Sequence, residues 1–214
     1  MIYEKADVGP LILLMLENFM SNAGASLHRL IGVMTKVGKP IAENINPGLL
    51  YSDITRRCQQ VGITLPPELL DLYRYCDGMK HGYDLDGLYV LLSLDAAFQE
   101  YEVVKENAPY YDEPTIDWFP FLSDEGNLYL VDMAAAKIGR PSVVWWMMEF
   151  PPVRKYSNLS AMFDTLADAY EAGAYRDLYG LPNLDENLQM SLIARQRNPG
   201  VAYWQERIEE LSGS

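Results

Sequence analysis

Residues 116–132 read IDWFPFLSDEGNLYLVD, and the fold turns on how this stretch is parsed. Apolar Trp118, Phe119, Phe121 and Leu122 run into Ser123-Asp124-Glu125-Gly126-Asn127. The chain then alternates through Leu128 and Leu130, with Val131 out of phase. That pattern predicts strand, tight turn, strand. Gly126-Asn127 supplies at least one residue that takes positive φ at little cost, and the Asp124 carboxylate can bond the turn backbone. Pro120 has no N–H for a ladder, so the first arm must be an edge, a strand start or a bulge. Trp118 is expected as a core anchor, since burying such a ring removes ~150–250 Å² from water, worth up to about 4–6 kcal/mol at ~25 cal/mol per Å². Asp132 is expected to bond a neighbouring turn from the strand end.

A Trp-x-Pro step, an acidic turn with Gly-Asn, and an aliphatic strand ending in Asp resemble the signature of the SUKH superfamily, which groups yeast cell-wall-assembly regulators with bacterial toxin-immunity proteins. Upstream, residues 65–78, LPPELLDLYRYCDG, are similar to the family's opening helix, with Asp77-Gly78 where Asn-Gly is usual. Downstream, Val143-Val144-Trp145-Trp146 and the helical pattern over residues 159–172 fall where the family has a strand and its closing helix. The resemblance covers residues 46–175. It carries no catalytic signature.

The 214 residues suit one well-buried core with appendages. The division expected is an N-terminal helical extension over residues 1–45, an α+β domain over 46–175, and a C-terminal helical extension over 176–214 packed on that domain. With 30 acidic side chains against 17 basic ones, the net charge is −13. Such a chain is repelled by phosphate backbones and anionic membranes, which argues against direct nucleic-acid or membrane binding and favours a basic protein partner. Cys58 and Cys76 fall on predicted helices among apolar neighbours and read as reduced, buried thiols. The apolar run of residues 11–16 follows Glu4, Lys5 and Asp7 and stops at Glu17. It is too short for a signal-peptide core and reads as part of a soluble helix in a cytoplasmic protein.

Residues 10–20 suggest an amphipathic helix, after which Gly24, Gly32, Gly38, Pro40, Pro47 and Gly48 are expected to break the chain into short pieces. Ser52 is placed to cap a helix bearing Ile54, Cys58 and Val61 that ends at Gly62. The next helix starts at prolines and stops at Gly78, leaving residues 77–87 as a loop. A strand then precedes a helix capped by Ser93, and residues 107–114, NAPYYDEP, form a second loop. Residues 142–148 are apolar on both faces, which suits a strand inside the sheet. Asn158 caps the helix with Leu159, Met162, Phe163, Leu166 and Tyr170. Residues 184–211 read as two helices joined at Asn198-Pro199-Gly200, with Trp204 facing inward.

The chain has only His28 and His81, and neither cysteine sits in a C-x-x-C pair, so a multi-histidine metal centre is excluded and no cofactor is implied. Asp84-Leu85-Asp86-Gly87 fails as a calcium loop because Leu88 occupies a ligand position. Gly32 to Gly38-Lys39 fails as a phosphate loop because five residues separate the glycines and Pro40 replaces the magnesium-binding hydroxyl. No catalytic residues are assigned. Partner binding is assigned to the two acidic, tyrosine-bearing loops: Tyr83, Asp84 and Asp86 in one, Tyr110, Tyr111, Asp112 and Glu113 in the other. Rings that lose little entropy on ordering, beside carboxylates, suit a hot spot facing a basic protein.

The fold expected is α+β: a twisted, largely antiparallel sheet of five or six strands covered by helices, with helical extensions at both ends. The sheet order comes from the resemblance. For a bacterial member the resemblance implies a non-enzymatic immunity protein that binds and silences a toxin, often a nuclease. A regulatory or scaffold role related to cell-wall assembly is the alternative, and an enzyme of unknown type the third. A monomer or weak homo-oligomer is expected.

Overall fold

The computed structural model describes residues 22–39, 41–80, 85, 89–107, 117–147, 150–174, 177–178, 181–182 and 188–213. The protein is α+β, built on a five-stranded antiparallel sheet in the order β3-β4-β5-β6-β7: Val90–Leu91, Trp118–Asp124, Asn127–Asp132, Val143–Trp146 and Val153–Tyr156. The hairpin sits at its centre, with β5 as the middle strand and β6 inside the sheet as its two-sided apolarity requires. The reversal is one residue earlier than the sequence reading placed it. Glu125 (φ 46°) and Gly126 (φ 96°) form a two-residue loop closed by the Asp124–Asn127 pair, and Asn127 already belongs to β5. Two consecutive positive φ values match the primed turns whose twist suits a hairpin.

Pro120 sits where the register shifts, opposite Leu130 and before the Leu122–Tyr129 pair. The bulge inserts Phe121, so that Phe119, Phe121 and Leu122 are all fully buried in the main core. The short β3 meets β4 only at Leu122 and Ser123, beyond the proline.

The sheet is apolar on both faces, which explains the out-of-phase Val131. One face sends Phe119, Tyr129, Val131 and Val143 into the main cluster beneath the helices, while the other gathers Leu128, Leu130, Val144 and Trp146 with Val104 in a smaller second cluster. Trp118 is only half-buried and packs against that smaller cluster, so it is not the core anchor expected of it. The ring that fills that role is Phe119, which meets Tyr73, Phe98 and Tyr101 at centroid separations of 6.5, 5.9 and 5.6 Å.

α1 (Ala23–Lys36) runs unbroken through Gly24 and Gly32, contrary to the expected short pieces. Burial of Leu27, Leu30, Val33 and Met34 offsets the roughly 1 kcal/mol that each helical glycine costs. β1 (Ile45–Pro47) leads to α2 (Tyr51–Val61), whose N-cap is Leu50 rather than Ser52. The Leu50 carbonyl accepts from the Ile54 amide at 3.1 Å, which leaves Ser52 inside the first turn.

α3 (Pro67–Tyr75) stops three residues before Gly78. Cys76–Met79 form β2, paired with β1, where a helix end and a loop were expected. Asp77 and Gly78 together seat the next helix, α4 (Leu94–Asn107): the Asp77 Oδ1 accepts from the Leu94 amide at 2.7 Å, and a Cβ on Gly78 would meet the Ser93 nitrogen at 2.4 Å. Ser93 also accepts from the Ala96 amide at 3.3 Å, as a cap should.

α5 (Met133–Lys137) links β5 to β6, and Asp132 caps it by accepting from the Ala135 amide at 2.8 Å. α6 (Leu159–Glu171) is capped by Asn158, which accepts from the Ala161 amide at 2.7 Å. Its buried stripe of Leu159, Met162, Phe163, Leu166 and Tyr170 matches the sequence reading. A short ribbon of β8 (Asp177–Leu178) and β9 (Leu181–Pro182) precedes α7 (Leu188–Arg197) and α8 (Ala202–Ser212), which join at the predicted Asn198-Pro199-Gly200.

Trp204 is fully buried and donates from its indole N–H to the Lys155 carbonyl at 2.5 Å. The Lys155 ammonium is itself buried, 3.6 Å from the Trp145 ring centroid and 5.1 Å from that of Tyr203. α1 is tied to α6 and α7 by charge: Arg29 reaches Asp168 at 2.6 Å and Glu171 at 2.8 Å, and Arg197 reaches the other oxygen of Asp168 at 2.6 Å.

Candidate partner-binding surface

Tyr83, Asp84, Asp86, Tyr110, Tyr111, Asp112 and Glu113 all lie outside the described residues. The positions from which their segments depart are well held. Leu85 is fully buried in the main core, and its amide donates to the Tyr89 carbonyl at 2.8 Å. Tyr89 stacks edge-on to Tyr129 at 4.8 Å, and its hydroxyl accepts from the Trp145 indole at 2.7 Å. Segment 108–116 leaves α4 at Asn107 and rejoins at Asp117. The Asp117 carboxylate accepts from the Tyr101 hydroxyl at 2.9 Å and from Lys137 at 2.8 Å, while its carbonyl accepts from the Met133 amide.

Tyr89 leads into β3 beside the end of β4, whereas Asp117 precedes its start. The two anchor points are therefore separated by about the length of β4, roughly 20 Å at ~3.3 Å per residue. Between them runs α4, whose exposed side carries Asp95, Gln99, Glu102, Val103, Lys105 and Glu106, with Asp95 paired to Arg57 at 3.1 Å and Glu102 to Lys105 at 3.0 Å. Val103 is 47 % exposed. Glu102 and Glu106 stand one turn apart on the helix that feeds directly into Tyr110 to Glu113.

The residues that carried the sequence resemblance build a different place. Trp118 pairs with Asp132 across β4 and β5, and Val144 pairs with Arg154 across β6 and β7. On this outer face, with the Asp132 carboxylate engaged in the α5 cap, a cavity of about 380 Å³ opens between Trp118, Val144, Pro152 and the segment after α5. Ile138 and Arg140 form one rim and Arg154 the other. Sequence reasoning missed this groove, because Arg140 and Arg154 are fourteen positions apart and belong to no local pattern.

The titratable groups offer no activated nucleophile among the described residues. Burial pushes the Cys76 thiol up to about 12 and raises Cys58 as well, which leaves both protonated and unreactive. The His28 ring shares a 2.9 Å hydrogen bond with the Tyr75 hydroxyl, and His81 lies outside the described residues. Glu68 is the exception in its pKa: burial raises it to about 7 against the opposing bond from the Leu159 amide. Asp168 is partly desolvated, yet Arg197 and Arg29 hold its carboxyl below the ordinary value. Among the described residues, no group of three or more His, Cys, Asp or Glu side chains could hold a metal ion, and no helix is long and apolar enough to cross a membrane.

Fold and surface together define an α+β module whose described polar clusters serve caps, helix ties and an acidic exterior. The SMI1 / KNR4 family (SUKH-1) model matches residues 52–170, more than half of the chain, and the protein belongs to that family. The matched span begins within α2 and ends within α6, so it takes in the whole five-stranded sheet and the Asp77-Gly78 junction. No curated protein gives a significant match.

Proposed function

We propose that this chain is a non-enzymatic protein-binding module, an immunity protein that binds and neutralises a basic toxin domain. The observation that carries the reading is the net charge of −13 on a SUKH-family scaffold. A nuclease must present a basic surface to its substrate, and an acidic protein of complementary potential can occupy that surface. The interface is proposed to centre on Tyr110, Tyr111, Asp112 and Glu113 and to extend along Glu102 and Glu106 toward Tyr83, Asp84 and Asp86. A span of about 20 Å is in keeping with a standard interface of roughly 800 Å² per partner.

The test is the double substitution Asp112→Ala, Glu113→Ala, with the partner obtained by co-purification or from the neighbouring gene. The variant is expected to bind at least tenfold more weakly, a change of ~1.4 kcal/mol, with an unchanged melting curve. Higher salt should slow association of the wild-type pair. A double variant that binds and protects cells as well as wild type removes this interface. Neighbouring genes for cell-wall assembly, with no toxin partner, would favour the regulatory role instead.

A further inference from the structure

The groove on the outer sheet face is lined by no residue of α4, and two arginines rim it. Among the described arginines, Arg29, Arg56, Arg57, Arg197 and Arg207 sit in ion pairs within 4 Å, whereas Arg74 and Arg195 stand apart on helices without one. Arg140 and Arg154, on the two rims of one cavity, have no ion-pair partner among the described residues. The groove's own carboxylate, Asp132, accepts from the Ala135 amide through Oδ1 and keeps its negative charge. In a chain with 30 carboxylates and 17 cations, two guanidiniums against the single Asp132 carboxylate give the described lining an excess of one positive charge, a local site for a negative group.

The rest of the lining sets the shape of the ligand. Trp118, Val144 and Pro152 are apolar, and Ile138 is 72 % exposed at the rim. A volume of about 380 Å³ is at the small end of the range for ligand pockets, enough for one or two residues rather than a folded element. Guanidiniums bind carboxylates through paired N–H donors, and an aromatic ring beside them takes an apolar side chain. A ligand with many negative charges would be repelled by the net charge of −13, and so would a second copy of this chain. A single carboxylate next to one apolar group escapes most of that repulsion.

We propose that this groove captures the C-terminal residue of a partner polypeptide: Arg140 and Arg154 hold the terminal carboxylate, and an apolar last side chain lies against Trp118 and Ile138. The site does not depend on the immunity reading, since its residues are separate from the acidic loops and from α4.

The test uses the full chain and a set of N-acetylated tetrapeptides ending in Leu, Ile, Val or Phe, each made with a free and with an amidated C-terminus. Binding is followed by the NMR shift of the Trp118 indole N–H, assigned by its loss in Trp118→Phe. At least one free-carboxylate peptide is expected to bind below millimolar concentration, and its amide at least tenfold more weakly. Arg140→Gln with Arg154→Gln should weaken binding at least tenfold while leaving the melting temperature unchanged, as both side chains are exposed. The amino acid N-acetyl-leucine should bind more weakly than the tetrapeptide ending in leucine. Equal or tighter binding of the amino acid would replace the peptide terminus with a small carboxylic acid as ligand. The proposal is overturned if the amides bind equally, if the arginine variant is unaffected, if no peptide binds, or if the groove proves to mediate self-association in sedimentation experiments.

Discussion

Glu68, in the first turn of α3, accepts a hydrogen bond from the backbone amide of Leu159 at 3.0 Å, joining the starts of two helices 91 positions apart in the chain. Only one of its carboxylate oxygens is engaged. The other is buried with no hydrogen-bond partner among the described residues, and burial lifts the pKa to about 7 from an ordinary 4.5. A raised folded-state pKa means that the native protein binds a proton more tightly than the unfolded chain. Its stabilisation is complete below pH ~4.5 and is lost as pH rises through about 7. The shift corresponds to about 3 kcal/mol at ~1.4 kcal/mol per unit. Glu68→Gln keeps an oxygen for the Leu159 amide and cannot ionise. Relative to wild type, it should gain ~1–3 kcal/mol between pH 5 and pH 8 in urea melts. An equal difference at both pH values would show that the carboxyl titrates normally.

Gly78 is held at φ 79° with its α-carbon against the start of α4, where a Cβ would come within 2.4 Å of the Ser93 nitrogen. The close neighbours are backbone, so they cannot rotate away. Gly78→Ala is expected to cost more than the ~1 kcal/mol of positive φ alone, on the order of 3 kcal/mol or complete loss of the folded state. Gly126 is also at positive φ, but nothing lies within 4 Å of its Cβ position, so Gly126→Ala should lose only ~1–2 kcal/mol. Chemical denaturation of the two variants in parallel measures the difference. Equal losses would mean that α4 can shift away from β2.

Phe119→Ala should destabilise the protein more than Trp118→Ala, although tryptophan is the larger side chain. Phe119 is fully buried among Tyr73, Phe98 and Tyr101, and its removal leaves a cavity worth about 3–5 kcal/mol. Trp118 is half-exposed on the second cluster and should cost about 1–2 kcal/mol, by proportion to the apolar area buried. Denaturant midpoints in the reverse order would place Trp118 in the structural role that the sequence reading assigned to it.

Trp204 fixes α8 to the sheet through one indole bond to the Lys155 carbonyl and through its packing on Tyr156, 5.6 Å between centroids. Trp204→Ala should lose about 3–5 kcal/mol in a single cooperative transition. Trp204→Phe restores most of the ring but removes the indole hydrogen bond to the Lys155 carbonyl, at about 0.5–1.5 kcal/mol. If Trp204→Ala instead releases residues 188–213 to proteolysis while the sheet still melts at the wild-type temperature, the C-terminal helices are an independent appendage.

Local chemistry carried much of the architecture in advance. The reversal near Gly126, the irregularity at Pro120 (an edge, a strand start or a bulge by sequence, a bulge in the fold), the Asn158 cap and the break at Asn198-Pro199-Gly200 each depend on residues adjacent in the chain. A missing N–H, a positive φ or a short side chain that bonds its own backbone acts within a few residues, so these features were legible one stretch at a time. The proposed binding loops were legible only as composition, and they lie outside the described residues.

The sequence by itself determined the α+β class, the central hairpin and the net charge, because periodicity, turn chemistry and charge are sums over neighbouring or all residues, and its short motifs carried the resemblance to the family. Tertiary structure alone decided four other features. α1 stays helical through two glycines because α3 and α6 bury its apolar face. Cys76–Met79 become a strand because Ile45–Pro47 offer an edge some thirty residues away. Phe119 rather than Trp118 enters the core because the sheet has apolar clusters on both faces, and β4 directs alternate rings to opposite sides. Arg140 and Arg154 line one groove because the connection after α5 delivers the first and strand β7 the second. Each of these depends on surface supplied by a segment remote in the chain, and the free energy of burying it is not written in either segment alone.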